Sequence, residues 1–376
     1  VNLAGSITFP TGGRQINWGT GTLIHDGSQW EWVIDGDITS FYNLTLSGRY
    51  YKSLGANLII NGELIVNDQV YLNMRNYTLT GTAGKTFTLN SGGVVYSAVL
   101  APNPAFPTNF GTYSVSPGSY YYLNSGDNTS QIVLSKPNYG NFDVEYNGKT
   151  ITSDGLFDLN VEGTFDLRGC TFIDNGRDLY LAGTNLYTEN YVPSSNSRKV
   201  VLDGSNQQIR NVNASAIQLA NIVFASGGIK TLGDGGDIVT ITKSLVINPG
   251  VTVNRTNSIT FSGDTWTNTN GTFNHTGGTI TFTSNSPQTI NPGTNNDFNL
   301  VTFDGTGIKT ITSKGIDINN ILTINAGSTL NMGALSHTIQ SNVVNNGTWI
   351  ADNSNLTFDG GNQSIAGFTA LDVVCS

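Results

Sequence analysis

The chain has 376 residues, a formal net charge of −9 and only 11 % charged residues, against about 25 % in ordinary soluble domains. The acidic residues are scattered and no basic patch forms, which argues against nucleic acid or an anionic membrane as a partner. No run of about 18 apolar residues exists, so no membrane-spanning helix is expected. Apolar content of 38 % is enough for a core and argues against disorder. Helix formers are scarce: the chain has five Glu and nine Lys. Asn, Thr, Gly, Ile and Val are abundant, a mixture that favours strands and turns.

Taken in order, the chain repeats a set of phrases, which is the signature of a repeat architecture. Residues 1–40 read as the end of one module, closing on Ile7 to Ile16. Phe41-Tyr-Asn-Leu-Thr-Leu-Ser-Gly48 opens the next, spanning 41–141. Phe142-Asp-Val-Glu-Tyr-Asn-Gly148 opens 142–218, which closes on Leu202-Asp-Gly-Ser-Asn-Gln-Gln-Ile209. Leu219-Ala-Asn-Ile-Val-Phe224 opens 219–297; it continues through Ile229-Lys-Thr-Leu232 and Leu245-Val-Ile-Asn248 and closes on Phe282 to Ile290. The fullest module is 298–367, from Phe298-Asn-Leu-Val-Thr-Phe-Asp-Gly305 through Ile308-Lys-Thr-Ile311, Leu322-Thr-Ile-Asn325 and Leu330-Asn-Met332 to Leu356-Thr-Phe-Asp-Gly-Gly-Asn-Gln-Ser-Ile365. Residues 368–376 read as the start of another. The period is roughly 70–80 residues. Both ends fall inside a module, so a longer array is expected. The first residues lack a charged start and an apolar core, so no signal peptide is read there.

Apolar residues come in short alternating clusters. Trp266, Phe273 and Ile280 recur every seven positions, each after a Gly-rich turn. Strands of three to five residues fit this rhythm, and no stretch holds a helical period. The expected fold is all-β: a right-handed parallel β-solenoid built from modules of about 70–100 residues, whose coils stack at ~4.8 Å. With roughly 22–25 residues per coil, about 15–17 coils and a rod of roughly 70–80 Å would result. The alternative is a string of tandem β-sandwich domains. The expected core includes Leu44, Leu46, Leu64, Val66, Leu245, Ile247, Phe282, Leu300, Phe303, Leu322, Ile324 and Phe358.

The longest departure from the rhythm is 84–141. It carries Tyr96, Phe106, Phe110, Tyr113, the run Tyr120-Tyr-Tyr122 and five of the ten prolines. Prolines cannot donate to a ladder, so parts of this stretch are expected to leave the stack. Loops on a rigid scaffold are where binding sits, which makes Phe106, Phe110, Tyr113, Tyr120, Tyr121 and Tyr122 the candidate binding residues. The plainer reading is a self-packed loop whose aromatics cover a flank. A smaller departure, 184–199, carries Tyr187, Tyr191 and Arg198.

No catalytic set emerges. His25, His275 and His337 stand in Gly/Thr-rich contexts without a second ligand at metal spacing, and read as exposed turn residues. Asp174-Asn-Gly-Arg-Asp178, with Arg168 nearby, is the densest group of charges; paired carboxylates of that kind serve glycoside hydrolysis, but such runs are also turn chemistry. Gly233-Asp-Gly-Gly-Asp237 resembles a calcium turn but occurs once. Cys170 and Cys375 would lie far apart in a linear array and read as buried small hydrophobes. Asn-x-Ser/Thr triplets, as at Asn43 and Asn254, arise by chance in so Asn-rich a chain. No metal, cofactor or enzymatic activity is expected.

The cadence of Phe41 to Gly48, Leu58-Ile-Ile-Asn-Gly-Glu-Leu-Ile-Val66, Thr265-Trp-Thr-Asn-Thr-Asn-Gly-Thr-Phe273 and Gly278 to Ile290 resembles the repeat modules of large secreted surface proteins of the Bacteroidota, among them gliding adhesins and other type IX secretion substrates. The likeness covers most of the chain and is weakest in 84–141. It implies an exported filament or adhesin, extracellular at the cell surface, and transfers no catalytic residues. On this reading the chain is a structural, adhesive segment whose partners are glycans, neighbouring repeats or other filament subunits. The alternatives are a carbohydrate-binding module, a polysaccharide-degrading β-helix enzyme and a self-assembling filament subunit.

Overall fold

The computed structural model describes residues 2–3, 19–124, 130–144, 148–192, 198–211, 216–233, 236–351, 353–366 and 373–375, without the side chains of 2, 3, 168, 188–192 and 373–375. Among them all regular structure is strand, apart from turns and bends. Every described strand pairing is parallel and joins one coil to the next, as between Leu23 and Leu44 or Val301 and Leu322. Sandwich sheets are antiparallel, so the tandem-sandwich alternative falls and the fold is a parallel β-solenoid. The chain makes about 15 coils. It divides into two compact units, Val1–Asn185 and Leu186–Ser376.

In the unit Leu186–Ser376 a coil consists of three short strands joined by three corners. One face stacks Ile259–Phe261, Thr279–Phe282, Leu300–Phe303, Leu322–Ile324 and Val343–Asn345. A second stacks Thr265–Asn268, Gln288–Asn291, Ile308–Ile311, Thr329–Asn331 and Thr348–Ile350. The third carries Val251–Arg255, Thr272–His275 and Asn295–Asp297. Ile259, Ile280, Val301, Leu322 and Val343 stand in register at intervals of 21 residues. These coils are shorter than expected because three- and four-residue strands need only tight corners between them.

Strand alternation sends every second side chain inward. Phe261, Phe282, Phe303 and Ile324 are fully buried in one such column, with the Phe282 and Phe303 rings 5.2 Å apart and near-parallel. Leu300 is a correction. It lies half-buried on the outer side opposite Thr279, because Val301 and Phe303 take the inward phase.

The recurring Lys/Gln-x-Ile phrases acquire a physical meaning. Lys309 is inward-facing and fully buried, and its Nζ donates to the carbonyls of Ser284, Gly305 and Gly307 at 3.0, 2.8 and 2.8 Å. Lys230 donates to Gly204 O and, at 2.8 Å, to Gln207 Oε1; Lys52 donates to Gly27 O at 2.5 Å and Arg49 O at 3.1 Å. Gln288 Nε2 reaches Gly263 O at 2.7 Å, and Gln363 Nε2 reaches Ile339 O at 2.8 Å. Corner carbonyls that turn inward need donors, and a long stem ending in several N–H groups supplies them. Burial lowers the Lys230 and Lys309 ammonium groups to about 8, against the opposing pull of Asp203 and Asp304 respectively. Arg255 is buried the same way, with guanidinium bonds to the carbonyls of Leu232, Asp237, Asn257 and Ser258.

The histidines also differ from expectation: His25, His275 and His337 are buried in strands rather than exposed in turns. His337 Nδ1 accepts from the Ile316 amide at 3.1 Å, and its Nε2 contacts Met332 O at 3.0 Å. A carbonyl partner requires Nε2 to carry the proton, so the ring is held neutral. Burial lowers its pKa to about 4. In the unit Val1–Asn185, His25 stacks on Trp32 at 3.8 Å.

Candidate functional site

Residues 84–141 keep to the stack more than their prolines suggest. Thr86–Leu89 pairs with Thr112–Val115, and Val94–Ser97 with Tyr120–Leu123. The coil is enlarged instead: Val95 meets Tyr121, 26 positions on. Its extra length, 98–111, forms a long side bonded to both neighbours, through Ala105 N to Ile132 O at 2.8 Å and Thr108 N to Leu79 O at 2.9 Å.

This enlarged coil needs more filling, and the aromatics provide it. Phe106, Phe110 and Tyr121 are buried core residues, not a ligand-facing surface. Phe106 packs edge-on against Phe87, Tyr121 and Tyr139 at 5.4, 4.9 and 5.2 Å. Tyr121 Oη donates to Ala105 O at 2.7 Å, and burial raises its pKa well above the ordinary value. Tyr113 is half-buried, donates to Pro107 O at 3.0 Å and is pushed up to about 12 by burial; Lys136 Nζ sits 5.6 Å from its ring centre. Only Tyr120 and Tyr122 face outward, with parallel rings 5.8 Å apart.

Those two rings are the end of a longer feature. On one face of the unit Val1–Asn185, the outward phase of successive coils carries Tyr51, Tyr71, Tyr96 and Tyr122. Glu31 stands opposite Tyr51, and Trp30, 70 % exposed, precedes it. The rings form a connected set that branches at Tyr51: Trp30–Tyr51 at 5.9 Å, Tyr51–Tyr71 at 5.0 Å, Tyr51–Tyr96 at 6.4 Å and Tyr96–Tyr122 at 6.4 Å, with Tyr96 opposite Asn73 rather than Tyr71. The strip spans five coils, hence roughly 19 Å at ~4.8 Å per coil. Tyr51, Tyr71, Tyr96 and Tyr122 are half-buried against one another, and Trp30 is the strongly exposed ring of the strip; contiguous apolar surface of this kind is a candidate interaction site.

At one end the strip hollows into a cavity of about 350 Å³ lined by Trp30, Arg49, Tyr50, Tyr51, Gln69, Tyr71 and Gly92. A stacked corner builds it. Tyr50, Gln69 and Gly92 have φ of 66°, 61° and 74°, and Tyr50 N bonds Gln69 O at 3.0 Å as Gln69 N bonds Gly92 O at 3.1 Å. Glycine adopts this conformation freely, whereas Tyr and Gln hold it at a cost of about 1 kcal/mol each. Such strain accompanies functional sites, and here it aims two side chains at the cavity. Beside it Glu31 pairs with Arg75 at 2.6 Å and accepts from Ser53 Oγ at 2.5 Å; these two bonds hold its carboxyl below the usual range.

The other sequence candidates make hydrogen bonds within the corners. Asp174 Oδ1 accepts from Gly176 N at 3.0 Å, Arg177 Nε donates to Gly155 O at 2.8 Å, and Asp158 accepts from Asp178 N at 3.0 Å, bonds of the kind turns make; the Arg168 side chain lies outside the described residues. Asp237 is buried and accepts from Asn211 N at 3.2 Å, while residues 234 and 235 of that Gly/Asp run lie outside the described set. Among the described residues no group of three His, Cys, Asp or Glu is placed to hold a metal ion, and no helix is long and apolar enough to cross a membrane. Cys170 is buried and donates to Leu167 O at 3.2 Å.

Sequence reasoning missed Trp30, Tyr50, Tyr51 and Tyr71. The signal was present in two strands: phasing them by their inward residues, Lys52 and Leu54, Leu72 and Met74, leaves Tyr51 and Tyr71 at outward positions, whereas the strand Glu31–Ile34 leaves Glu31 and Val33 outward and Trp30 lies before it. Compared with family models, curated proteins and solved structures, the chain matches none. The geometry therefore stands alone: a rigid β-solenoid, consistent with a structural or adhesive role, bearing an outward-facing, half-buried aromatic strip.

Proposed function

We propose that the chain is a structural and adhesive segment of an extracellular surface protein, which binds glycans through the strip from Trp30 to Tyr122 and performs no catalysis. The observation that carries this reading is the strip itself. Five coils present aromatic faces outward in contact with one another. Tyr and Trp offer large, rigid, amphipathic contact area at low entropic cost. Their faces suit the C–H faces of pyranose rings, and their polar groups suit sugar hydroxyls. The likeness of the repeats to Bacteroidota surface modules supports export to the cell surface, and the sparse charge supports a surface indifferent to changing salt.

The test is calorimetry of the full chain against linear oligosaccharides of two to eight units. Affinity should climb with length to about four or five units, the number of coils in a strip of ~4.8 Å steps, and then level off. Trp30→Ala should weaken binding about tenfold, because it removes the most exposed ring of the strip and a wall of its cavity. Length-independent binding, or an unchanged Trp30→Ala variant, would refute the strip as the site.

A further inference from the structure

Resting on the glycan reading above, we propose that the cavity at the Trp30 end takes an anionic pyranose, whose carboxylate or sulfate ester pairs with Arg49 while its ring lies against Trp30. The cavity holds one guanidinium among aromatic walls. Arg49 is exposed, and among the described residues it has no carboxylate partner. Its own carbonyl is occupied by Lys52 Nζ at 3.1 Å, which ties down the backbone from which the side chain rises.

The acids nearby are otherwise engaged. Glu31 is held by Arg75 and Ser53. Asp68 lies against Gly92 and accepts from Gln69 Nε2 at 3.2 Å. A neutral sugar would leave the guanidinium of Arg49 without a charged partner in the complex. An anionic oxygen pair matches its planar fork in two parallel hydrogen bonds. Gln69 lines the cavity with its Nε2 held by Asp68 at 3.2 Å, which leaves its amide oxygen as an acceptor for a sugar hydroxyl. The net charge of −9 repels a polyanion at long range, but that field is screened beyond ~10 Å at 0.1 M salt. Contact with Arg49 is therefore the term that decides selection at ordinary ionic strength.

The experiment uses the full chain, wild type and Arg49→Gln, with three four-unit probes: tetragalacturonate, a sulfated galactan tetrasaccharide and cellotetraose. At 0.1 M salt the wild type should bind at least one anionic probe about tenfold or more tightly than cellotetraose, the discrimination that one charge-assisted pair provides. Which anionic probe wins identifies the charged group. Arg49→Gln should erase the preference by lowering affinity for the favoured anionic probe at least about tenfold, to the level of cellotetraose, with the melting temperature unchanged, and Arg49→Lys should restore part of it. Equal binding of all three probes by the wild type, or a preference that survives Arg49→Gln, would overturn the assignment to Arg49 but leave the strip standing. Failure of every probe to bind would overturn the glycan reading itself, and this proposal with it.

Discussion

Two outer faces of this molecule carry very different rows on the same scaffold. In the unit Val1–Asn185 the outward positions read Tyr51, Tyr71, Tyr96, Tyr122. In the unit Leu186–Ser376 a row on a different sheet reads Thr240, Thr260, Thr281, Thr302, Thr323. Behind both rows the inward positions are similar: Leu72, Val95 and Tyr121 in one, Ile280, Val301 and Leu322 in the other. The inward phase is constrained by packing at near-crystalline density. The outward phase needs only residues that tolerate a strand, and Thr and Tyr both do. A solenoid can thus acquire a binding surface coil by coil without changing its core.

The contrast can be broken hardest from inside. Leu322 is fully buried between Val301 and Val343. Leu322→Asp would bury an unpaired charge at a cost of several kcal/mol and lower the melting temperature on the order of 10 °C. Because coils touch only their neighbours, binding by the Tyr51–Tyr122 strip should persist at temperatures below that transition. A variant that melts like the parent would mean the inward phase is misassigned.

Next comes a paired substitution. Lys309→Met removes the donor to three buried carbonyls and should cost about 2–3 kcal/mol, or roughly 5–10 °C. Thr302→Ala, on the outer row, should change stability by less than about 0.5 kcal/mol. Similar losses in calorimetry from both variants would erase the distinction between phases.

The buried histidines give a smaller, pH-dependent effect. His337 has a pKa of about 4 in the folded chain and about 6.5 unfolded. Between those values the unfolded state binds more protons. The stability this group contributes is therefore complete above pH 6.5 and drains away as pH falls toward 4. Desolvation likewise lowers His275. The melting temperature of the wild type should fall more steeply over that interval than that of His337→Gln, and parallel curves would count against a neutral, buried imidazole.

The smallest effect sharpens the other side of the comparison. Tyr50→Gly relieves a left-handed tyrosine and should raise stability by about 1 kcal/mol, while weakening glycan binding severalfold through loss of a cavity wall. A gain in stability with unchanged affinity would show that the ring at position 50 does not contact the ligand.

How much of this was legible beforehand differs by residue. Leu44, Leu64, Ile247 and Phe303 could be read as core because period-two alternation is a local property of a strand. Phe106, Phe110 and Tyr121 could not, because an aromatic in a Pro-rich stretch is equally compatible with a projecting loop and an enlarged interior. The histidines misled because their Gly/Thr neighbours describe the corner beside each ring, not the direction in which the ring points. The strip escaped notice because its members are 20 to 26 residues apart and become neighbours only through register.

The repeat itself divides in the same way. By itself the sequence determined the strand–corner–strand phrase: a Gly/Asn corner, then Lys or Gln two residues before Ile or Leu. The phrase is local as a pattern, although the Lys or Gln side chain caps corner carbonyls that belong largely to the preceding coil, about 25 residues away. What the sequence did not determine is where each phrase falls around the coil. Gln207 follows the corner from the second face to the third, Gln288 the corner from the first to the second, and Gln363 the corner from the third to the first. The phrases recur at about 75 residues, which is not a multiple of the 21-residue coil, so each copy lands on a different corner. Only the stacked register of the tertiary structure fixes that rotation, because which outward residues become neighbours depends on coil length summed over every preceding turn.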